Sequence, residues 1–567
     1  MNKFIKTYFS EDNIFNYLSK QRAKLAKERS KDHIMAVISR KNKYHIKIRN
    51  QCEKDILCKI MPSRRLWVRP SKEKRYHKGK ILLNSIERNR KAIFSTIKKH
   101  KQASAKYRYL DELDIFINNI YESINSKTFI FQSPKIRPEP KEKGSSICRP
   151  ISIFLLQDNL INCLTNKYLI NYFDDLFYEN SFAFRATRII DDEKVVPNHH
   201  DAFSMIINYL KKHNGERIFV AECDIQKFYD TVNHNVVTKQ FHKLCIRKFF
   251  REKCDKKAKR IFYKYLQCYN FYENVYCLGE KHFTEHKIQN GQYKWIDKEI
   301  LRKYYKKDEY LKQIGIPQGG ALSGLIANIV LDYADKKILK LKDRDLLYVR
   351  YCDDMIMMHT NKKKCKKALK LYEKSLRRLK LFPHPVKNIE YGKAFWEGKS
   401  RGPYEWSDEN VPWIGFVGYE IKKNGDIRIR KRSLKKEINK QYELIEEVIS
   451  AISNNNLKVP IGTIKESVYN RLNGMAVGRI ELWNYLDYKN DMCWVKGFQL
   501  INKNRHSSLQ LKALDRTKNK YLFKLFRFLE KIDDSHIKRR GDINRRDREF
   551  IFYGKPFSYF YQALKKE

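Results

Sequence analysis

Three acidic residues stand where a folded chain tolerates few. Asp224 closes the strand-like run RIFVAECDI, and Asp353 and Asp354 separate two apolar runs, VRYC and MIMM. Two such runs meeting at a pair of acids form the pattern of a tight hairpin with carboxylates at its tip. Burying these groups unpaired is strongly unfavourable, and a pair of divalent cations resolves the conflict. Oxygen ligands select hard ions such as Mg²⁺, and two ions about 4 Å apart can activate an attacking hydroxyl and stabilise a leaving pyrophosphate. An acid pair alone is more often an exposed turn, so the reading depends on its surroundings.

Those surroundings are of mixed class. From 217 to 432, short β-rich runs alternate with helical ones. GFVGYEIKKNGDIRIRKRS reads as a second hairpin, with Asn424-Gly425 supplying the positive φ angles of a two-residue turn. After Ser433, the residues Leu434, Ile438, Tyr442, Ile445, Ile449 and Ile452 recur at helical spacing until Asn454, Asn455 and Asn456. Of 567 residues, 118 are Lys or Arg and 65 are Asp or Glu, a net charge of +53. Such a surplus points to a polyanionic partner and away from small acidic substrates. Residues 1–100 carry 28 Lys or Arg against 8 acids, interleaved with aromatic residues, as in an arm that binds a nucleic-acid backbone. The 36 Tyr, 32 Phe and 7 Trp argue against disorder. No apolar stretch is long enough to span a membrane and no secretory leader is evident, so a cytoplasmic protein is expected. The 12 cysteines form no CxxC pair, which disfavours a disulfide scaffold or a zinc module.

Five segments in chain order carry a resemblance. DIQKFYDTVNH (224–234), IPQGGALSGLIANIVL (316–331), YCDD (351–354), FPHPVKNIEYG (382–392) and WIGFVGYEI (413–421) resemble motifs A to E of reverse transcriptases of the bacterial group II intron-like lineage. Upstream, ICRPISI and SFAFR (181–185) resemble that lineage's fingers motifs. The resemblance implies an α+β right-hand polymerase with fingers, a palm built on an antiparallel sheet, and a helical thumb. The corresponding divisions are a basic helical, RNA-binding extension over 1–104 and a fingers and palm domain over 105–432, divided near 216. A thumb over 433–500 and a basic helical extension over 501–567 follow.

By that resemblance Asp224, Asp353 and Asp354 are the catalytic carboxylates. Together with the Ile225 carbonyl they would bind two Mg²⁺ ions, Mn²⁺ being an alternative. Tyr229 matches the aromatic position whose ring would clash with a ribose 2′-hydroxyl. Pro317, Gln318, Gly319 and Gly320 match the loop that approaches the template base and the incoming nucleotide. Lys141 and Arg149 are expected to grip the triphosphate, with Lys135 or Lys143 as alternatives to Lys141. Lys387 resembles the lysine that assists pyrophosphate departure. Gly415, Phe416 and Gly418 lie in the segment resembling the primer grip, and Tyr559 and Tyr561 offer hydroxyls for protein priming.

The implied enzyme is an RNA-directed DNA polymerase whose partners are an RNA template, dNTPs and the cDNA product, with no membrane and with room for a homo-oligomer. Missing CxxC pairs count against a full intron-encoded protein, and missing NAxxH and VTG strings against a retron enzyme. Intact PQG counts against a diversity-generating one. The defence-associated and abortive-infection reverse transcriptases remain, copying a dedicated non-coding RNA against phage. The alternatives are a group II intron maturase, a retron-type enzyme, an RNA-directed RNA polymerase, and a catalytically silent RNA-binding scaffold.

Overall fold

The computed structural model describes residues 3–38, 51–69, 85–103, 106–142, 144–190, 193–296, 308–387, 397–409, 411–452, 460–477, 493–532 and 557–558, with positions 71, 76–77, 81–82, 299, 301, 305 and 395. The chain divides into two compact units, Met1–Ile14 with Asp114–Pro412, and Phe15–Leu113 with Trp413–Glu567.

A hairpin opens the main part of the first unit. Strands β1 (Lys135–Pro140) and β2 (Cys148–Ile153) pair antiparallel, with Glu139 opposite Arg149. Helix α1 (Leu156–Phe173) follows. A sheet of five strands comes next: β3 (Ile218–Cys223), β4 (Leu347–Tyr351), β5 (Asp354–His359), β6 (Val386–Lys387) and β7 (Ser400–Trp406), in the spatial order β6-β7-β3-β5-β4. Every pairing is antiparallel except β6 with β7. Strand β3 is IFVAEC, buried along its whole length, so it can only be a central strand.

Helices hold this sheet from behind. Helix α4 (Ser323–Leu339) is apolar almost all round and correspondingly buried. Helix α5 (Lys362–Arg378) starts where the Asn361 side chain accepts from the amides of Lys363 and Lys364. It buries Cys365, Ala368, Leu369, Tyr372 and Leu376 against β3 and β7 and turns its lysines to solvent. Helices α2 (His234–Lys248) and α3 (Lys256–Gln267) lie between the first acidic motif and the PQGG loop.

The second unit contains a three-stranded antiparallel sheet of β8 (Ile414–Phe416), β9 (Tyr419–Ile421) and β10 (Ile427–Ile429). Helices α6 (Lys431–Ile452), α7 (Ile461–Val477) and α8 (Arg505–Leu529) pack around Leu444, Ile445, Val448, Val468, Leu472, Leu522 and Leu525.

Two expectations from the sequence need correction here. Of Asn424-Gly425 only Gly425 has positive φ (87°), and Gly425 donates its amide to the Lys422 carbonyl. The Asn424 side chain instead accepts from the Asp426 amide, so the connection is longer than a two-residue turn. The helix after it begins at Lys431, and its buried stripe is displaced from the expected one. Glu437, Gln441, Leu444, Ile445, Val448, Ala451 and Ile452 are inside, while Tyr442 is exposed and packs beside Tyr521. Neighbouring α8 selects the face that is covered, which apolar spacing alone does not determine.

The basic N-terminal region is packed as well as charged. Phe4 and Phe9 are buried, and Phe4 lies edge-on to Tyr168 of α1. In the second unit Phe15, Leu18, Ile93 and Ile97 are buried. Apolar residues that alternate with cations at these positions face inward.

Candidate active site

Strands β3, β5 and β4 bring the three acids to one edge of the sheet. Cys223 pairs with Met355, and Tyr351 with Asp354, so Asp224 emerges beside the β4–β5 turn. That turn is Cys352-Asp353, and Cys352 has φ 58°. Arg350, fully buried on β4, holds it from below. Its guanidinium donates to the Cys352 carbonyl at 2.8 Å, to Asn328 at 3.2 Å and to both oxygens of Asp335 on α4 at 2.9 and 2.6 Å. The Tyr348 hydroxyl donates to the same Asp335. A charged pair inside apolar surroundings survives because every donor around it is directed at an acceptor.

The acids differ in their environments. Burial raises the Asp353 carboxyl above the usual range, and the nearby Asp224 charge raises it further. Asp224 is half-buried, with His384 Nε2 and Lys399 Nζ each 3.5 Å from its Oδ2. Burial first, and then Lys399, lower the His384 pKa, so Lys399 is the principal counter-charge. Asp354 is exposed. Among the described residues no three His, Cys, Asp or Glu side chains converge closely enough to hold a metal. The donor set fits a hard divalent ion, since the Asp224 carboxylate is close enough to Asp353 to disfavour its charge.

Ile225 is buried and bridges to Pro383, so the FPHPVKN segment lies antiparallel along the first acidic motif. The Asp224 carbonyl accepts from the His384 amide, and the Gln226 amide donates to the Phe382 carbonyl. Lys387 lies on β6 opposite Arg401; only its backbone is described.

Tyr229 stands beside the Cys352-Asp353 turn, its hydroxyl 3.3 Å from Cys352 Sγ. Burial, and then the neighbouring thiol, push its pKa up, so the phenol stays neutral. Gln318 bonds at both ends. Its carbonyl accepts from the Ser152 amide on β2, and its side-chain amide donates to the buried Asp230 at 2.7 Å. Gly319 has φ 89°, and a Cβ at Gly320 would fall 1.9 Å from the Tyr265 hydroxyl. Both glycines are therefore required by local geometry.

Lys141 and Arg149 are exposed at the loop end of the β1–β2 hairpin, and Lys135 lies at its opposite end. Lys143 is outside the described residues. Lys227, inside the quoted DIQKFYD string, escaped the sequence reading. It adopts φ 49°, and burial, assisted by Lys141 and Lys399, lowers its pKa to about 8 against the opposing pull of Asp230. The ammonium groups of Lys141, Lys227 and Lys399 thus share one region, with Asp230 beside Lys227 and Asp224 beside Lys399, and that surplus of cations is suited to an anion.

Arg185, by contrast, is fully engaged within the protein: Asp174, Tyr178 and Ser181 take its donors. In the second unit, Gly415, Phe416 and Gly418 lie on the β8–β9 hairpin. Val417 and Gly418, at φ 40° and 97°, form its turn. Tyr559 and Tyr561 lie outside the described residues.

Residues 140–388 match the family model described as reverse transcriptase (RNA-dependent DNA polymerase). This segment is a reverse transcriptase domain. It is similar to the group II intron-encoded protein LtrA of Lactococcus lactis subsp. cremoris, 27% identical over 253 residues, with the same figures for the protein of strain MG1363. The match covers 44% of this chain and 33% of LtrA, so the chain spans about a third of the length of the curated relatives it matches. Among solved structures, telomerase from Candida albicans with a TWJ fragment of telomeric RNA is similar at 13% identity and TM-score 0.32, covering 75% of this chain and 69% of that one. Apo telomerase from Candida tropicalis is similar at 14% identity and TM-score 0.32, covering 79% and 74%. The segment that matches the family model is of mixed helix and sheet. Among the described residues no helix is long and apolar enough to cross a membrane.

Proposed function

We propose that the chain is an RNA-directed DNA polymerase that extends a primer hydroxyl with dNTPs on an RNA template. The observation that carries this reading is the placement of Asp224 and Asp353 at the ends of adjacent strands within the reverse transcriptase domain. Asp224, Asp353 and the Ile225 carbonyl would hold Mg²⁺, with Asp354 as the third carboxylate. The bound ions would lower the pKa of the primer hydroxyl and take up charge on the departing pyrophosphate. Lys141, Arg149 and Lys227 would position the triphosphate, and Lys387 would assist departure of pyrophosphate. Tyr229 would exclude a 2′-hydroxyl, and Gln318 with Gly319 would support the nucleotide and its template base. On β8 and β9, Gly415, Phe416 and Gly418 would hold the primer.

The template is a dedicated non-coding RNA, held by the basic flanking regions, and the setting is cytoplasmic anti-phage defence. The net charge of +53 supports a large RNA footprint. Primer extension on RNA with dNTPs or NTPs tests the activity. Incorporation of dNTPs by the wild type that persists unchanged in Asp353→Asn would refute the assigned mechanism. Sequencing RNA and cDNA that co-purify with the chain tests the template: a random transcript population would remove the dedicated RNA.

A further inference from the structure

The junction between α2 and α3 displays an aromatic surface for which the polymerase reading has no use. Phe250 is 95% exposed, Phe249 49% and Ile246 54%. The two rings stand edge to face at 5.7 Å, and Lys253 lies 4.9 Å over the Phe249 ring. Exposed phenyl groups are unfavourable in water, and a contiguous group of them marks a binding face.

The fold holds this face outward. The Phe249 amide closes the last turn of α2 on the Ile246 carbonyl, and the Arg251 and Glu252 amides both donate to the Lys248 carbonyl. Both sides are anchored to α1 and its end. Lys248, itself buried, donates to the Tyr172 carbonyl and to Asp175, the Tyr172 hydroxyl donates to the Glu252 carbonyl, and the Tyr168 hydroxyl accepts from the Asp255 amide. Phe250 is therefore exposed on a braced turn rather than displaced from a core.

Charge selects the occupant. Residues 239–264 contain 11 Lys or Arg and 2 acids. Two of those cations are committed to carboxylates, Arg247 to Asp332 and Lys248 to Asp175. Lys239, Lys243, Arg251, Lys253 and Lys256 are exposed on α2, on the turn that carries the rings and at the start of α3. Aromatic faces bordered by cations suit single-stranded nucleic acid, whose unpaired bases stack while its phosphates are neutralised. A duplex keeps its bases within its own stack, and a second copy of a strongly basic chain is repelled.

We propose that Phe249 and Phe250, with the surrounding cations, form a stacking site for single-stranded RNA. The site is separate from the catalytic edge, and its test requires no polymerase activity. Anisotropy of a labelled 20-nucleotide oligouridine is measured with the full chain, with Phe250→Ala and with the Phe249→Ala/Phe250→Ala pair. The expected result is an affinity loss of about tenfold, recovery in Phe250→Tyr, and an unchanged slope against salt because no cation is removed. Ultraviolet crosslinking should also join uridine to the peptide containing Phe250. Unchanged affinity with no such crosslink overturns the proposal. So does a shift to smaller assemblies in light scattering of the variants with RNA affinity intact, which would make the face a contact between copies.

Discussion

The Tyr229 hydroxyl meets the Cys352 thiol at 3.3 Å, joining the residue assigned to sugar discrimination to the turn that carries Asp353. Tyr229→Ala should relax discrimination against NTPs, read as the ratio of kcat/KM for dNTP and NTP. Cys352→Ala keeps the Tyr229 ring but removes the thiol that meets its hydroxyl and that also bonds Asp353, a loss of about 1 kcal/mol per hydrogen bond, and should reduce that ratio several-fold. An unaltered ratio in both variants would separate the ring from sugar choice.

Asp353 opposes stability in a way that catalysis would require. Its carboxyl is disfavoured by burial and by Asp224. Asp353→Asn should therefore abolish dNTP incorporation while leaving the thermal midpoint in metal-free buffer equal to or above that of the parent. A lower midpoint would assign the carboxylate a structural role instead.

Arg350 is a positioning residue beneath the turn. Arg350→Met leaves Asp335 buried without its partner and should destabilise the domain by about 3–5 kcal/mol in denaturant titration. Adding Asp335→Leu should restore much of that stability, because the unpaired charge is gone. Activity should remain low in the double variant, because the Cys352 carbonyl has lost its donor. Recovery of both would show that the turn holds itself.

Asp230 gives a pH signature. Burial raises its pKa from the usual 3.8 to about 6, against the favourable pull of Lys227 and Gln318. A carboxyl with a raised folded pKa contributes most stability below its unfolded value and loses that contribution as pH rises from about 4 through about 6. The loss is on the order of 3 kcal/mol. Asp230→Asn should flatten the stability profile across that window, and a profile parallel to the parent's would contradict the burial argument.

The placement of Asp224, Asp353 and Asp354 at strand ends was legible because carboxylates interrupting apolar strands are costly and hence conspicuous. Arg350 carried the same signal, a charge in LLYVRYC, but its partner Asp335 lies on a helix, and nothing in local spacing pairs the two. Lys227 was hidden for a different reason: its approach to Lys141 depends on how the β1–β2 hairpin meets the PQGG loop, a contact between segments distant in sequence. The face of α6 was read only in part, Ile445 and Ile452 being buried and Tyr442 exposed, because its neighbour, α8, comes more than 50 residues later. Periodicity identifies a helix, while the packed element decides which side is inside.

The outer edge of β2 is fastened at two levels. Ser152 donates to the Gln318 carbonyl, while Cys148 donates to the Gln292 carbonyl and Gln292 returns a bond to Ser146. The ribbon bearing Lys141 and Arg149 is thus splinted along its length to the PQGG loop and to the segment around Gln292. Any swing that clamps a nucleotide must carry those loops with it, so sensing the phosphates and seating the base become one displacement instead of two.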